Sequence, residues 1–423
     1  RRDRMTKRDL VLILGDQLNA RHFWFTGGPD PQVCYALMEM RQETDYVRHH
    51  IQKAAAFFLA MRAFARSLRQ EGHTVRYLAL DHPDNAQSLT ANISRLMEEE
   101  GCSRFEYMHP DEHRLDQQLQ DLAASAPFPC HGVDSEHFLT SRGDVAELMQ
   151  GKKAFRLEHF YRHMRRRWDI LIQDGRPVQG SWSLDQENRR PIPRDVHIPE
   201  PLSFDNPARD VLDLLNRCKV PTLGTLQGTS IPWPVTRAQA RQQLDFFVQH
   251  LLPWFGTYQD AMALRSTSLF HSRLSFALNT KMLHPLEVIQ AVLDRWEADR
   301  ERIALNQVEG FVRQILGWRE FMRGMYWARM PELARENALQ HQGTLPEWYW
   351  TGETRMACLR ACISQSLHTA YAHHIQRLMI TGSFALLAGV HPDEVDAWYL
   401  GIYVDAVQWV ELPNTRCMSQ FAD

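Results

Sequence analysis

Two adjacent histidines, His373 and His374, stand inside the apolar stretch AYAHHIQRLMITGSFALLAG (Ala370–Gly389). Imidazole suits metal ligation, a hydrogen-bonded core position or proton transfer near neutral pH. Adjacent residues of a helix point about 100° apart, so the pair does not readily chelate one metal together. The positions one turn away, Thr369, Ala370, Tyr371, Gln376, Arg377 and Leu378, hold no usual ligand. A satisfied core position accounts for one of the two. Both together, in so apolar a segment, point to proton transfer.

Other groupings surround this pair. Ser272 and Ser275 in HSRLSF bracket a helix start, as capping residues or as a cradle for an anion such as phosphate. In NQVEGFVRQILGWREFMRGMYW, Glu309, Arg313, Gly317 and Glu320 recur at helical spacing, which a solvated face explains. Arg319 and Glu320 resist that explanation, because buried charges are costly unless paired, and they make a ligand pocket plausible. Trp398, Tyr399, Tyr403 and Trp409 form an aromatic ladder. It reads as ordinary packing or, beside a redox cofactor, as an electron-hopping path. Asp405 and Glu411 among these rings suit hydrogen bonding to a polar heterocycle. Cys358 and Cys362 lie i,i+4 on one helix face and do not by spacing make a metal centre.

The elements that position these groups divide the chain. Asp9–Asn19, Val33–Met40, Thr74–Leu80 and Arg104–Met108 read as strands. Between them run helical patterns such as Ala54–Gly72, with Gly72 as its stop. The alternation predicts a parallel α/β sheet whose ligands bind beyond the strand ends, at Gly15, Asp16 and Gln17 and after the second strand. Prolines and glycines from Gly175 to Val235 predict an extended surface linker, and from Thr236 onward the pattern is helical.

A length of 423 residues predicts two or three domains. With 44% hydrophobic and 23% charged residues the composition is that of a soluble globular protein. No apolar run approaches the roughly 20 residues of a membrane helix, and neither a span nor a signal peptide is expected. Seven scattered cysteines suggest a reducing cytoplasm. The net charge of −3 does not advertise a nucleic-acid binder, although a local basic face would suffice. The chain opens on Arg1 and stops at MSQFAD straight after a motif-rich stretch, which predicts a fragment lacking its C-terminal region.

LVLILGDQL, ETDYVRHH, ENRRP, HSRLSF, VEGFVRQILGWREFMRG, YWTG, AYAHHIQRLMITG and WVELPN with MSQFAD span nearly the whole chain. In that order they resemble the photolyase/cryptochrome superfamily. The match is closest to its prokaryotic iron–sulfur branch, the bacterial (6-4) photolyases and related cryptochromes. The resemblance implies a Rossmann-like α/β antenna domain over 1–140, a connector over 141–235 and an all-α FAD-binding domain over 236–423. It implies Ser272, Leu274 and Ser275 as the FAD phosphate cradle and Glu309 and Arg319 as pocket residues. Asp405, Glu411 and Asn414 would line the flavin ring, and Trp350, Trp398 and Tyr399 would carry electrons. Gly15, Asp16, Gln17, Glu43 and Tyr46 would hold a lumazine antenna, 6,7-dimethyl-8-ribityllumazine.

At the histidines the resemblance supplies a reaction. His374 gives a proton to a (6-4) lesion in UV-damaged DNA as excited reduced flavin injects an electron, with His373 in support. A monomer is expected, with RHMRRRW (Arg162–Trp168) as a rail for the DNA backbone, a solvated helix face or a clamp between domains. The alternative is a blue-light photoreceptor cryptochrome that signals without repair. A flavin protein without photochemistry fits the ladder and histidines less well. Two positions depart from the pattern. Cys358 would be one 4Fe–4S ligand, but the other three fall beyond the last residue given. Cys417 stands where the family has glycine, which predicts backbone strain there.

Overall fold

The computed structural model describes residues 8–152 and 155–423, so the first seven residues of the expected antenna domain lie outside the described residues. Short apolar runs form β1 (Arg8–Leu12), β2 (Val33–Met38), β3 (Thr74–Leu78), β4 (Cys102–Met108) and β5 (Cys130–Val133). All neighbours pair parallel, in the order β3-β2-β1-β4-β5. Leu10 lies beside Cys34 of β2 on one side and Phe105 of β4 on the other.

Side chains alternate between the two faces. Leu10, Leu12, Ala36 and Phe105 pack with Ile93, Leu96 and Leu119 of the helices Leu89–Glu99 and His113–Ser125. Val11, Ile13, Tyr35 and Leu37 belong to the opposite core, with Ala55, Met61 and Leu68 of the helix Ile51–Gln70. Cover on both faces is why the strands read as continuous apolar runs. The helix Ile51–Gln70 begins where His50 Nδ1 accepts from the Gln52 amide at 3.0 Å. It ends just before Gly72, whose φ of +92° an L side chain adopts rarely. The strand order reverses at β1, so the loops after β1 and β4 part and leave a crevice at the carboxyl ends.

The connector is more structured than its prolines and glycines predict. It carries the helix Arg209–Arg217, which buries Val211, Leu214 and Leu215, and it buries Trp233 completely. Beyond Ile231 the described residues contain helices and one isolated bridge, Gly343 to Val390. The two halves interlock through side chain to backbone bonds. His50 Nε2 bonds the Leu367 carbonyl at 2.7 Å, and Lys53 Nζ donates to those of Leu400 and Ala406 at 2.6 and 2.8 Å. No described helix is long and apolar enough to cross a membrane.

Candidate active site

Four stretches of the helical half are wound as wide π-type turns, Phe247–Leu251 apart from the site and Arg313–Arg319, Gln376–Gly382 and Asn414–Ser419 at it. Such turns carry i→i+5 bonds and often mark functional sites. The last three contribute to the wall of one cavity of about 530 Å³.

Arg377 organises its floor. Its Nη1 and Nη2 donate to the two carboxylate oxygens of Asp405, each at 3.0 Å, and Nε donates to the Ala372 carbonyl at 2.7 Å. The guanidinium lies over the Tyr403 ring, 3.8 Å from its centroid. Burial opposes its charge, but Asp405 and Glu411 outweigh that and raise its pKa. Glu411 shares this cation at 3.4 Å, and burial pushes its carboxyl up to about 7 against the pull of Arg377. Ser275 Oγ donates to Asp405 at 2.6 Å, so this serine orients the acid. Ser272 Oγ accepts from the Leu274 amide at 3.3 Å, the local turn bond of a capping serine.

The histidines stand differently from the sequence expectation. Ala370 ends the preceding helix in the left-handed region, φ 55°, and a new helix begins only at His374. His373 precedes it as a cap. Its Nδ1 accepts from the Gln376 amide at 3.4 Å, while Gln376 Oε1 accepts from the His373 amide at 3.1 Å, a reciprocal capping box. With Nδ1 an acceptor, the proton of neutral His373 sits on Nε2. A third imidazole, His271, joins the pair. Burial, then the neighbouring imidazoles and Arg377, push His373 down to about 2 and His271 down to about 4, and the protein packed round the cavity mouth, with Arg377, lowers His374 as well although its side chain is open to solvent. His374 is exposed to the cavity opening, whereas His373 is buried. His271 and Arg377 belong to quoted motifs but were not singled out from sequence. A cation in the otherwise apolar run Ala370–Gly389 was the available signal.

Tyr399 faces the cavity and Trp398 lies behind it, with ring centroids 5.1 Å apart and planes at 90°. From Trp398 the ring contacts continue to Tyr349 at 5.1 Å and on to Trp348 at 4.7 Å. Trp350, the expected partner, is half-buried against the same cluster. Asn414 and Leu274 line the cavity. Glu309 stands back from it. Its carboxylate accepts from Arg313 at 3.3 Å and from the Leu184 amide at 3.1 Å, so it acts on the wall through Arg313. Arg319 and Glu320 do not pair with each other. Arg319 stacks on Phe138 and Trp409 and donates to the Leu278 carbonyl at 3.2 Å, while Glu320 takes the Leu139 amide and the Thr140 hydroxyl.

These residues fit the expected flavin nucleotide. The volume is that of a small-molecule cleft. Buried Arg319 Nη1 and His271 Nε2 find no partner among the described residues, which leaves polar atoms in the wall for a ligand.

A second cavity, about 150 Å³, occupies the crevice where the strand order reverses. Gly15, Asp16, Glu43 and Tyr46 line it, and a Cβ on Gly15 would meet Met61 Sδ at 3.0 Å. Gln17 does not line it. It braces the loop, accepting from the Leu14 amide and donating to the Met108 carbonyl. The segment 405–409 separates the two cavities, with Asp405 on the first and Ala406 to Trp409 on the second.

Two expectations are corrected, at Arg165 and at Cys417. Arg165 of RHMRRRW is buried, donates to the carbonyls of Ile170 and Trp182, and braces the Trp182 loop. Arg167 pairs with Asp144 at 2.7 Å, while Arg162 and Arg166 make no ion pair among the described residues and lie over the Trp182 ring, 5.9 and 4.6 Å from its centroid. Cys417 lies within the turn Asn414–Ser419 and is not a left-handed residue, so the strain expected there does not arise. Cys358 is exposed one turn from buried Cys362, and no group of three or more His, Cys, Asp or Glu side chains among the described residues could hold a metal. These thiols do not make a four-thiolate site.

A family model described as deoxyribodipyrimidine photo-lyase-related protein matches residues 11–231. The chain is 41% identical over 416 residues to a (6-4) photolyase of Agrobacterium fabrum, covering 98% of this chain and 81% of that protein. Its structure resembles a class III photolyase from Agrobacterium tumefaciens, with TM-score 0.63 and 16% identity over 98% of this chain and 80% of that one. It also resembles a cryptochrome of Synechocystis sp. PCC6803, with TM-score 0.63 and 12% identity over 99% and 83%. At those identities the structural likeness speaks for the fold.

Proposed function

The chain belongs to the deoxyribodipyrimidine photo-lyase-related protein family, and from that premise we propose that it is a DNA photolyase that repairs (6-4) pyrimidine photoproducts using light. FAD occupies the larger cavity in this reading, and its excited reduced form supplies an electron. The observation that carries the proposal is that His373, His374 and His271 open into the same cavity as the Arg377–Asp405 pair and Tyr399.

Each group has a part. Ser275 and Arg377 fix Asp405, whose remaining lone pairs accept from the ring system. Arg319 offers its unengaged Nη1. His374, at the opening, meets the lesion and gives it a proton, while His373 holds its Nε2–H beside it. The lesion arrives extruded from the duplex, which costs less where stacking and pairing are already broken. The surrounding protein and Arg377 lower His374 and so favour its neutral form. The negative charge of flavin phosphates and DNA raises its pKa on binding.

Illumination of reduced protein with an oligonucleotide bearing one (6-4) lesion tests the proposal. Restored pyrimidines are expected. Normal flavin photoreduction without repair would instead identify a photoreceptor. The smaller cavity takes a lumazine-type antenna in the same reading.

A further inference from the structure

We propose that Lys53, on the helix Ile51–Gln70 of the sheet domain, is a positioning residue of the larger cavity. Its ammonium ties down the turn that carries Asp405 and sets a second positive charge, beside Arg377, behind Asp405 and Glu411. The inference rests on the reading that flavin fills that cavity, and it adds to the site a residue from the other half of the chain.

Lys53 is only 5% exposed, and the next residues, Ala54, Ala55 and Ala56, pack into apolar core. A buried ammonium is costly unless something offsets its lost hydration, and methionine would fill the same space without that cost. Among the described residues Lys53 makes no ion pair. It donates instead to two carbonyls, of Leu400 at 2.6 Å and of Ala406 at 2.8 Å. Those carbonyls bracket the site. Leu400 lies in the last turn of the helix Pro392–Ile402, where carbonyls lack intrahelical partners and a cation is favourable. Trp398 and Tyr399 directly precede it. Ala406 follows Asp405, whose own carbonyl accepts from Asn279 at 2.7 Å. Between them Tyr403 carries the Arg377 guanidinium over its ring. The ammonium thus clasps both ends of the turn 400–406, with Tyr399 beside one end and Asp405 beside the other.

Charge acts in the same direction as the tether. Burial pushes Lys53 down to about 8, while Glu411, Asp405 and then Glu112 pull it up. Burial raises Glu411 against Arg377 and then Lys53, with Asp405 adding to the rise. Arg377 meets the two acids from within the larger cavity. Lys53 meets them through the segment 405–409, from the side of the smaller cavity that it lines. The field at the flavin acids therefore depends on the sheet domain being docked.

The test uses the full chain loaded with FAD and reads the equilibrium between oxidised and reduced bound flavin against a reference dye. Lys53→Met removes tether and charge, Lys53→Gln keeps amide donors for the carbonyls without the charge, and Lys53→Arg keeps the charge. Both neutral variants should shift the equilibrium about tenfold toward oxidised flavin, the order expected for losing one nearby charge in a partly buried site. Lys53→Arg should restore most of it. A clamp between domains would lower stability or flavin content and leave the equilibrium of bound flavin unmoved. Urea melts of the flavin-free chain give a second readout. The folded value of about 8 lies below the ordinary 10.5, so between them the unfolded chain binds more protons. The parent should accordingly gain stability relative to Lys53→Gln as pH rises through that window. Parental flavin equilibria in both neutral variants overturn the proposal and leave the flavin reading standing, as does the absence of any relative gain in the melts. A parent that takes up no flavin overturns both.

Discussion

His271 and His373 lie face to face in the larger cavity, ring centroids 5.0 Å apart and planes 17° from parallel. Stacked imidazoles cannot both be charged at low cost, and Arg377 adds a further positive charge. For His373 the folded value of about 2 lies below the unfolded value near 6.5. Between these values the unfolded chain binds more protons, so this residue's contribution to stability is whole above pH ~6.5 and is lost on acidification. His373→Asn keeps a capping side chain and removes the titration. Urea melts at pH 7.5, 6 and 5 should show the parent losing stability relative to the variant as pH falls. A constant difference would show that His373 is not held neutral.

Repair should depend on His374 more than on His373. The first is exposed at the opening and has Arg377 as its charged neighbour, while the second is engaged through Nδ1 in the capping box. His374→Ala is expected to abolish repair of a (6-4) oligonucleotide and to leave flavin content largely unchanged. Measured repair in that variant at parental rates would remove His374 from the proton step.

Arg377 is the most exacting residue to replace. Without it, Asp405 and Glu411 face each other in a buried site with no cation between them. Breaking such a pair from one side typically costs ~3–5 kcal/mol. Arg377→Met should therefore lower the urea midpoint strongly and release flavin. Asp405→Asn, which removes the repulsion as well, should cost less.

Four of the five strands and the helix over Ala54–Gly72 were legible because burial on both sheet faces writes itself as apolar runs. The strand Cys130–Val133 was not, since four residues containing His131 and Gly132 carry no such run. The connector helix Arg209–Arg217 was hidden among prolines that flank it rather than enter it. Within the site, the histidine pair and Asp405 stood out as polar residues in apolar company. The roles of Lys53, Gln52 and His50 did not, because their partners at 367–406 are more than 300 positions away. Charge density misled at Arg165, where helical periodicity cannot tell an arginine in solvent from one folded back on Trp182.

Close approach of the two halves makes Gly401 sensitive. A Cβ there would overlap the Arg48 carbonyl oxygen, a backbone atom that cannot swing aside. Gly401→Ala is expected to push the helix Pro392–Ile402 off the sheet domain and cost about 1–3 kcal/mol. Limited proteolysis should then cut within the connector earlier than in the parent. An unchanged digestion pattern and melting point would mean that the two halves dock elsewhere.

The aromatic contacts make the last prediction. Tyr399 is the ring at the cavity wall, and Trp398 touches it edge-on while bonding its indole N–H to the Tyr349 carbonyl at 2.9 Å. Electrons that photoreduce a flavin run inward to it, from Trp348 through Tyr349 by direct ring contact or from half-buried Trp350, and both routes meet at Trp398 before Tyr399. Trp398→Phe, at the point where the routes meet, should slow flavin photoreduction by roughly an order of magnitude in transient absorption and spare repair by protein reduced beforehand in the dark. Trp350→Phe and Trp348→Phe then divide the two routes. The larger slowing identifies the one in use, and photoreduction at the parental rate in Trp398→Phe would show that electrons do not reach the flavin through this wall.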